Sequence, residues 1–486
     1  MCVSMHNGSK NIVTNSTILI GAEVLGTVIR IVLVIFAARL LGAANYGKFS
    51  FALAFTSLFL ILADGGIHQL LVRELARWPE RCKKYLGNAL FIKFFLGFFT
   101  FSVIVLVANL TNKPADVLYT VYIIAFSQIV DSFARLFKSI FQAFQQMKYD
   151  AVSTVILNVF TTGFGIALLV SRGNYIGLAL VYLAANLVNM IICIWITLRK
   201  FTPIKVEADF KLIKFFIIEG FPFGVLYFFA TMYTLIDTVM LSFMKGDEVV
   251  GWYNVAYRFV FAMLFIPMGT MKAVFPIFSK YYQESLEDLT RLFEKSFKSM
   301  LLVGFSLAWL IFLFSDKLIL WMFGQEYIHA VPALKILVWS AALIYITTVM
   351  THVARASNRQ QFTAKAVVSC ALINIVLNLL FIPRYSFIGA AAATLITEWI
   401  SFTAHYFYLS HYLVKPPLFK YLPKIVVINL IVGLYVFVLR RVPFILVFST
   451  AMMINVGMVL LVRYYSVEEL ALLFSVSNMK KVLRIK

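Results

Sequence analysis

LGNALFIKFFLGFFTFSVIVLVANL, residues 86–110, is an almost continuous run of apolar side chains interrupted by a single lysine. A helix of this length crosses the ~30 Å hydrocarbon core of a bilayer, since each residue adds ~1.5 Å. Apolar and polar residues do not alternate, so the run predicts a transmembrane helix rather than a strand of a barrel. About fourteen such runs follow one another between residues 16 and 462. The sequence therefore predicts an all-α polytopic membrane protein.

The composition excludes a soluble globular protein. Of the 486 residues, 62% are hydrophobic and only 13% are charged, whereas roughly a quarter of the residues of a soluble domain are charged. The four cysteines have neither zinc-ligand nor CxxC spacing. We therefore expect no disulfide framework, no metal site and no cofactor.

The net charge of +21 is explained by membrane topology rather than by nucleic acid. If both termini are cytoplasmic, most lysines and arginines fall in cytoplasmic connectors and in the C-terminal tail. This bias is the one that orients membrane helices. The sequence predicts cytoplasmic N- and C-termini and no nucleic-acid partner.

The connectors are too short to hold a folded soluble domain. Two of the longest, residues 199–214 and 279–299, have the mixed composition of short amphipathic helices on the membrane surface. Any chemistry must therefore take place within the bilayer.

Two pairs of similar segments indicate an internal duplication. Ala44-Asn45-Tyr46 precedes Gly251-Trp252-Tyr253 by 207 positions, and Tyr175-Ile176-Gly177 precedes Phe387-Ile388-Gly389 by 212. Six predicted helices separate the copies, so both halves would keep the same orientation. We expect two pseudo-symmetric six-helix lobes around a central cavity, followed by two extra helices. The predicted units are residues 1–200, residues 201–411 with a leading cytoplasmic linker, and residues 412–486 with a basic tail.

A stripe of polar residues runs along the fourth predicted helix. Asp131, Arg135 and Lys138 recur at helical spacing together with Gln128, Gln142 and Gln145. Such a stripe can line a water-filled cavity or lie in a seam between helices. Two cations favour the cavity, because charges inside membranes are costly and commonly functional.

Other ionisable residues lie within apolar runs. Glu23 and Arg30 share one face of the first helix, Asp237 lies in the seventh, and Glu398 lies in the twelfth on a stripe with Thr394, Ser401 and His405. Glu398 or His405 could carry a coupling proton, although a hydrogen-bonded seam is equally compatible with that stripe. We interpret Lys93 and Lys335 as side chains that extend to the membrane surface.

Cations outnumber acids at these positions. Guanidinium and ammonium groups suit phosphate groups, so their excess predicts an anionic cargo. The predicted substrate-binding residues are Arg30, Arg135, Lys138, Arg258 and Lys272.

Prolines interrupt the seventh and eighth predicted helices at positions 222, 267 and 276. Gly220 and Gly224 flank Pro222, which makes this stretch the stronger hinge candidate. Kinked packing without a moving hinge is the alternative.

Four segments together resemble a known family. Arg30 is followed by ARLLGAANYGKFSFA at residues 38–52 and DGGIHQLLVRELAR at 64–77, and later by IDTVMLSFMKGDEVVGWYNVAYR at 236–258 and NIVLNLLFIPRYSFIGAAAATLITE at 374–398. This pattern resembles the Wzx-like polysaccharide and O-antigen repeat-unit flippases, a branch of the multidrug/oligosaccharidyl-lipid/polysaccharide exporter superfamily.

The resemblance implies a function that composition alone does not give. A family member would carry polyprenyl-diphosphate-linked oligosaccharides across the bacterial or archaeal cell (inner) membrane by alternating access, coupled to a proton or sodium ion. The matching positions are Arg30, Asp64, Arg73 and Asp237. Glu23, Asp64, Arg73, Asp131, Asp237 and Glu398 are the candidates for coupling or gating, with Asp64 and Arg73 alternatively structural. Implied partners are membrane lipids and the polymerase and chain-length proteins of polysaccharide synthesis.

Three other readings compete with a flippase. A multidrug or small-molecule exporter of the same superfamily would need a carboxylate-dominated cavity, which the excess of cations disfavours. A membrane glycosyltransferase would need a large loop or soluble region, so enzymatic activity is not expected. A scaffold would use the polar stripes only to join helices.

Overall fold

The computed structural model describes the backbone of residues 8–439, 441–462 and 464–465, with side chains from residue 25 onward. This part of the chain contains fourteen α-helices and two short 3-10 helices, Pro79–Arg81 and Gln325–Ala330. The α-helices are α1 Gly8–Asp64, α2 Ile67–Arg77, α3 Cys82–Asn109, α4 Ala115–Ala143, α5 Met147–Val170, α6 Tyr175–Lys200, α7 Phe210–Met244, α8 Asp247–Glu284, α9 Leu286–Leu313, α10 Ser315–Phe323, α11 Val331–Ala356, α12 Gln360–Tyr412, α13 Leu418–Val438 and α14 Phe444–Leu461.

Twelve of the described helices are long and apolar enough to cross a membrane. Two of them, α1 with 57 residues and α12 with 53, would each measure about 80 Å or more if straight, well beyond one ~30 Å hydrocarbon layer. Each contains a single residue outside helical geometry, Gly42 in α1 and Ser386 in α12. Two crossings in each account for the fourteen apolar runs, and the predicted all-α membrane fold is confirmed.

Neither of the two connectors forms a separate surface helix. Residues 202–209 contain no helix and lead to α7, with Pro203, which has no N–H to donate, near the start. The segment 279–299 is helical on both sides of Ser285, but as the end of α8 and the start of α9. The prediction for residues 199–214 was therefore wrong, because mixed polarity alone does not distinguish a surface helix from a linker, and that for residues 279–299 holds for the helical conformation alone.

The linker to α7 is held in place by polar contacts with α3. Lys84 forms an ion pair of 2.8 Å with Asp209, and Asn88 accepts a hydrogen bond from the Asp209 backbone. The hydrogen bond from Lys84 holds the pKa of the Asp209 carboxyl below its usual value. Asp209 also accepts hydrogen bonds from the first N–H groups of α7, which fixes where that helix begins.

Glycines allow α1 and α8 to approach closely at the break in α1. A Cβ atom added to Gly251 would lie 2.1 Å from the carbonyl oxygen of Ala43. Next to this contact, the Ala43 N–H donates to Glu326 at 2.6 Å, and Lys113 forms an ion pair of 2.9 Å with Asp247. Backbone packing and charge pairing therefore join the two halves of the chain at this end of the molecule.

We expect Gly251→Ala to separate α1 from α8, because backbone atoms cannot yield as a flexible side chain can. Overpacking of this kind costs about 1–3 kcal/mol, which lowers the melting temperature of the purified protein. Gly269→Ala on the same helix is the matched control, since a Cβ there meets nothing within 4 Å. Equal melting temperatures for the two variants would contradict the close approach.

A second glycine contact lies at the opposite end of the second α1 crossing. Gly65 and Gly66, both with positive φ, separate α1 from α2. A Cβ at Gly66 would lie 2.1 Å from the Gly220 carbonyl oxygen, and one at Gly224 would lie 3.2 Å from the Gly65 carbonyl carbon. The predicted hinge stretch thus packs against the turn between α1 and α2, within a continuous α7 that contains Pro222.

Candidate functional site

Two of the predicted cations occupy a shared, tyrosine-lined region. Arg258 on α8 donates to the Tyr46 hydroxyl at 3.3 Å, and Arg30 on α1 donates to Asn158 at 3.3 Å. Tyr182 on α6 lies within electrostatic range of both guanidinium groups. Arg30 is exposed and Arg258 is half-buried. Arg258 lies beside the hydroxyls of Tyr46 and Tyr182 and near the Phe261 ring.

A second cluster joins α1, α3 and α4. Lys93 on α3 is fully buried, forms an ion pair of 2.9 Å with Asp64 and donates to the Ser132 carbonyl at 2.8 Å. Arg135 pairs with Asp131 at 3.3 Å, and about a third of each of these two side chains remains accessible. The interpretation of Lys93 as a side chain that reaches the membrane surface was therefore wrong. Lys335, by contrast, is exposed.

This cluster also contacts α2 and α7. His68 on α2 forms a hydrogen bond of 3.0 Å with the Arg135 carbonyl oxygen, and the Tyr227 hydroxyl on α7 interacts with the Arg135 guanidinium. Arg73 on α2 pairs with Glu74 at 2.9 Å and with Glu219 on α7 at 3.2 Å. Asp64, Arg73 and Arg135 therefore lie along one seam between the first crossings and α7.

The remaining cations of the predicted set have different surroundings. Lys138 is enclosed between α4 and α5, with an ion pair to Asp150 at 3.3 Å and a hydrogen bond to Thr154 at 2.7 Å. Lys272 is exposed on α8. The structure thus divides the five predicted substrate-binding cations instead of gathering them, and it places Lys138 in a hydrogen-bonded seam. The side chain of Glu23 lies outside the described residues.

Asp237 on α7 is almost completely buried in a polar site. It accepts hydrogen bonds from Tyr253 at 2.6 Å, Asn378 at 2.6 Å and Thr394 at 2.8 Å. Asn374 in turn accepts from Asn378 at 2.9 Å. All of these donors are neutral, and the Asn378 carbonyl oxygen is buried without a hydrogen-bond partner. Asp237 is therefore a buried carboxylate held by neutral donors, and a carboxylate in such a site suits a proton or a small cation.

Sequence reasoning identified Asp237 and Thr394 but missed the two asparagines. Asn374 and Asn378 stand four positions apart in an apolar run, and this spacing is the same signal that identified the other polar stripes.

Glu398 on α12 is also buried and faces a seam. Tyr233 on α7 donates to its carboxylate at 2.5 Å. Further along the same stripe, His405 contacts the Thr351 hydroxyl at 3.3 Å and the Ser401 carbonyl oxygen at 2.8 Å. Of the two interpretations of this stripe, the geometry matches a hydrogen-bonded seam.

Comparison with known families gives a match over more than half of the chain. Residues 12–282 match the family described as "Polysaccharide biosynthesis protein", and residues 222–380 match the family described as "MatE". The resemblance drawn from the four sequence segments is confirmed.

Several curated proteins are similar along most of their length. The uncharacterized membrane protein MJ1068 of Methanocaldococcus jannaschii is 24% identical over 80% of this chain and 82% of its own. The "Probable low-salt glycan biosynthesis flippase Agl15" of Haloferax volcanii is 23% identical over the same shares. The "Capsular polysaccharide biosynthesis protein CapF" of Staphylococcus aureus is 21% identical over 82% of this chain and 98% of its own.

Solved structures share the fold. The lipid II flippase MurJ in an inward closed conformation superposes with a TM-score of 0.75 at 15% identity, covering 93% of this chain and 98% of MurJ. An inward-facing multidrug resistance MATE transporter of the MOP superfamily gives a TM-score of 0.64 at 14% identity, covering 79% and 95%. This multi-pass membrane protein, with the helical architecture of MurJ and MATE transporters, belongs to the polysaccharide biosynthesis protein family of transporters and not to a family of enzymes.

Proposed function

We propose that this protein is a flippase that moves polyprenyl-diphosphate-linked oligosaccharides across the cell membrane. The observation that carries the proposal is the pair Arg30 and Arg258, which lie near tyrosine side chains in a partly accessible interior region. Guanidinium groups form paired hydrogen bonds with phosphate oxygens, and tyrosine rings stack on sugars. The glycan flippase named among the relatives supports the same cargo class.

Alternating access of two lobes is the mechanism we propose. Residues 1–200 form one lobe, residues 201–411 form the other, and the helices that follow residue 411 are additions to the second. The glycine contacts at Gly66 and Gly251 lie at opposite ends of the second α1 crossing, residues 43–64. Opening one contact while the other stays closed would expose the arginines to one side of the membrane at a time. Cytoplasmic termini remain our prediction for the orientation.

A multidrug or small-molecule exporter is the second candidate, favoured by the MatE match over residues 222–380. Such a protein binds organic cations through accessible carboxylates. In this chain Asp237 and Glu398 are each less than 5% exposed and accept hydrogen bonds from neighbouring side chains. A bulky cation could not reach them without unpacking α7 from α12.

Ligand-dependent stabilisation distinguishes the two functions. A ligand at 100 times its dissociation constant stabilises the folded state by about 2.7 kcal/mol. We expect a polyprenyl diphosphate oligosaccharide to raise the melting temperature of the purified protein, and a lipophilic phosphonium cation to leave it unchanged. The reverse result would replace the flippase with an exporter of cations.

We propose Asp237 as the coupling site for sodium or a proton. If sodium binds there, exchanging choline for sodium at constant ionic strength should raise the melting temperature by the linkage effect of a bound ligand. Asp237→Asn keeps the shape but removes the charge, so the sodium effect should disappear, whereas the exposed Asp316→Ala control retains it. A response to pH that only Asp237→Asn removes would identify a proton instead. A sodium or pH response identical in native protein and Asp237→Asn would refute this assignment.

A further inference from the structure

An apolar cavity of about 670 Å³ lies between α1 and α7. One wall is formed by residues 58–62 of α1 and the adjoining Gly65, and the other by residues 217–232 of α7, together with Ile67 and Leu96. Every residue that lines it is apolar. The α7 wall extends over about 22 Å at 1.5 Å per residue, which is most of the thickness of a ~30 Å hydrocarbon layer. A cavity of these proportions accommodates a chain better than a compact molecule.

The cavity lies between the membrane and the charged seam. On its outer side, Ile217 and Phe221 are 51% and 66% exposed, so the wall borders the position of the lipids. On the inner side, the cavity residue Gly65 directly follows Asp64, and the cavity residue Phe228 is adjacent in sequence to Tyr227, the contact of Arg135. Arg135 keeps about a third of its side chain accessible. The apolar cavity therefore lies next to the seam that holds Arg135.

We propose that this α1–α7 cavity binds the polyprenyl chain of the cargo while the diphosphate enters the interior beside Arg135, ahead of the Arg30 and Arg258 pair. The assignment rests on the proposed flippase function and adds to it the place of the lipid tail. A long hydrocarbon chain agrees with the length of the α7 wall, and a diphosphate at one side of the cavity agrees with the positive charge of Arg135. An ordinary phospholipid has an acyl chain of similar width, so the experiment must separate these two occupants.

Photolabelling locates the chain directly. The probe is a polyprenyl diphosphate that carries a diazirine in its chain, incubated with the purified full-length protein in lipid nanodiscs. We expect labelled peptides from residues 58–65 and 217–232, competed by unlabelled polyprenyl diphosphate and not by phosphatidylglycerol. Equal competition by phosphatidylglycerol would assign the cavity to membrane lipid, and labelling confined to other helices would overturn the proposal.

Variants that fill the cavity provide the second measurement. Val225→Phe and Met232→Trp should lower labelling about tenfold or more, because excluding even two methylene groups from an apolar site has an effect of that size. The matched controls are Val426→Phe on α13 and Met453→Trp on α14, whose side chains are 46% and 74% exposed. A lowered melting temperature identifies a variant that does not fold. Because Val225→Phe and Met232→Trp fill the cavity at different positions, the conclusion does not depend on one variant alone.

A short-chain cargo separates failure of this proposal from failure of the flippase function. Native protein and both filled variants should move an oligosaccharide on a two-isoprene diphosphate equally well, while only the filled variants lose the long-chain cargo. If native protein moves neither cargo, the flippase function fails. If the filled variants move the long-chain cargo as fast as their controls, the cavity does not hold the chain.

Discussion

Replacing both Arg30 and Arg258 with alanine will slow movement of a lipid-diphosphate oligosaccharide by about 100-fold or more. A hydrogen bond to a charged group contributes about 1.5–3 kcal/mol, and the double variant removes two guanidinium groups that we place on one diphosphate. Arg258 donates to the Tyr46 hydroxyl, and Arg30 donates to Asn158 and Thr27. The loss should appear in the transport rate, and the melting temperature of the purified variant shows whether folding is preserved.

Two controls accompany this prediction. Lys200→Ala removes an exposed cation at the end of α6 and should transport at the native rate. The lysine variants, Arg30→Lys and Arg258→Lys, keep the charge but lose the planar fork, so they should have intermediate rates. Native rates in the double alanine variant would remove these arginines from the cargo path.

Lys93→Met will be the most destabilising single substitution among the residues considered above. It leaves Asp64, which is largely buried, without the ammonium at 2.9 Å. Breaking a buried ion pair by removing one partner costs about 3–5 kcal/mol, which should lower the melting temperature sharply. Lys83→Met, which removes an exposed lysine on the same helix, should have a small effect.

The double variant Asp64→Asn/Lys93→Met tests the cause of that loss. Removing both charges eliminates the unpaired carboxylate, so the double variant should be more stable than Lys93→Met alone. If the two substitutions instead destabilise additively, the ion pair is not the reason for the loss.

The sequence is sufficient to predict the membrane fold because each transmembrane helix is recognised from the hydropathy of consecutive residues. In a bilayer, a run such as residues 86–110 has few alternatives to a helix, because every backbone N–H and C=O must form a hydrogen bond within the segment. The family resemblance likewise depends on local motifs that can be read in order. The exact positions of the breaks were not predicted, because Gly42 and Ser386 redirect the helix through their backbone dihedrals.

The candidate site was predicted only in part, because partners far apart in sequence decide what a charged residue does. Lys93 resembles a side chain that reaches the surface until Asp64, 29 positions earlier, is found beside it. Lys138 shares a stripe with Arg135, yet Asp150 at the start of α5 neutralises it. Helical spacing gives the face on which a residue lies, whereas the identity of the opposing helix comes from tertiary packing alone.

Transbilayer movement of a fluorescent polyprenyl diphosphate oligosaccharide in proteoliposomes tests the central claim most directly. The measured quantity is the rate at which the labelled lipid becomes accessible to a quencher on the opposite side, with a sodium or proton gradient applied. The account predicts movement by the native protein that Arg30→Ala/Arg258→Ala abolishes and Lys200→Ala preserves. Folded native protein that moves none of several oligosaccharide head groups faster than empty liposomes would contradict it.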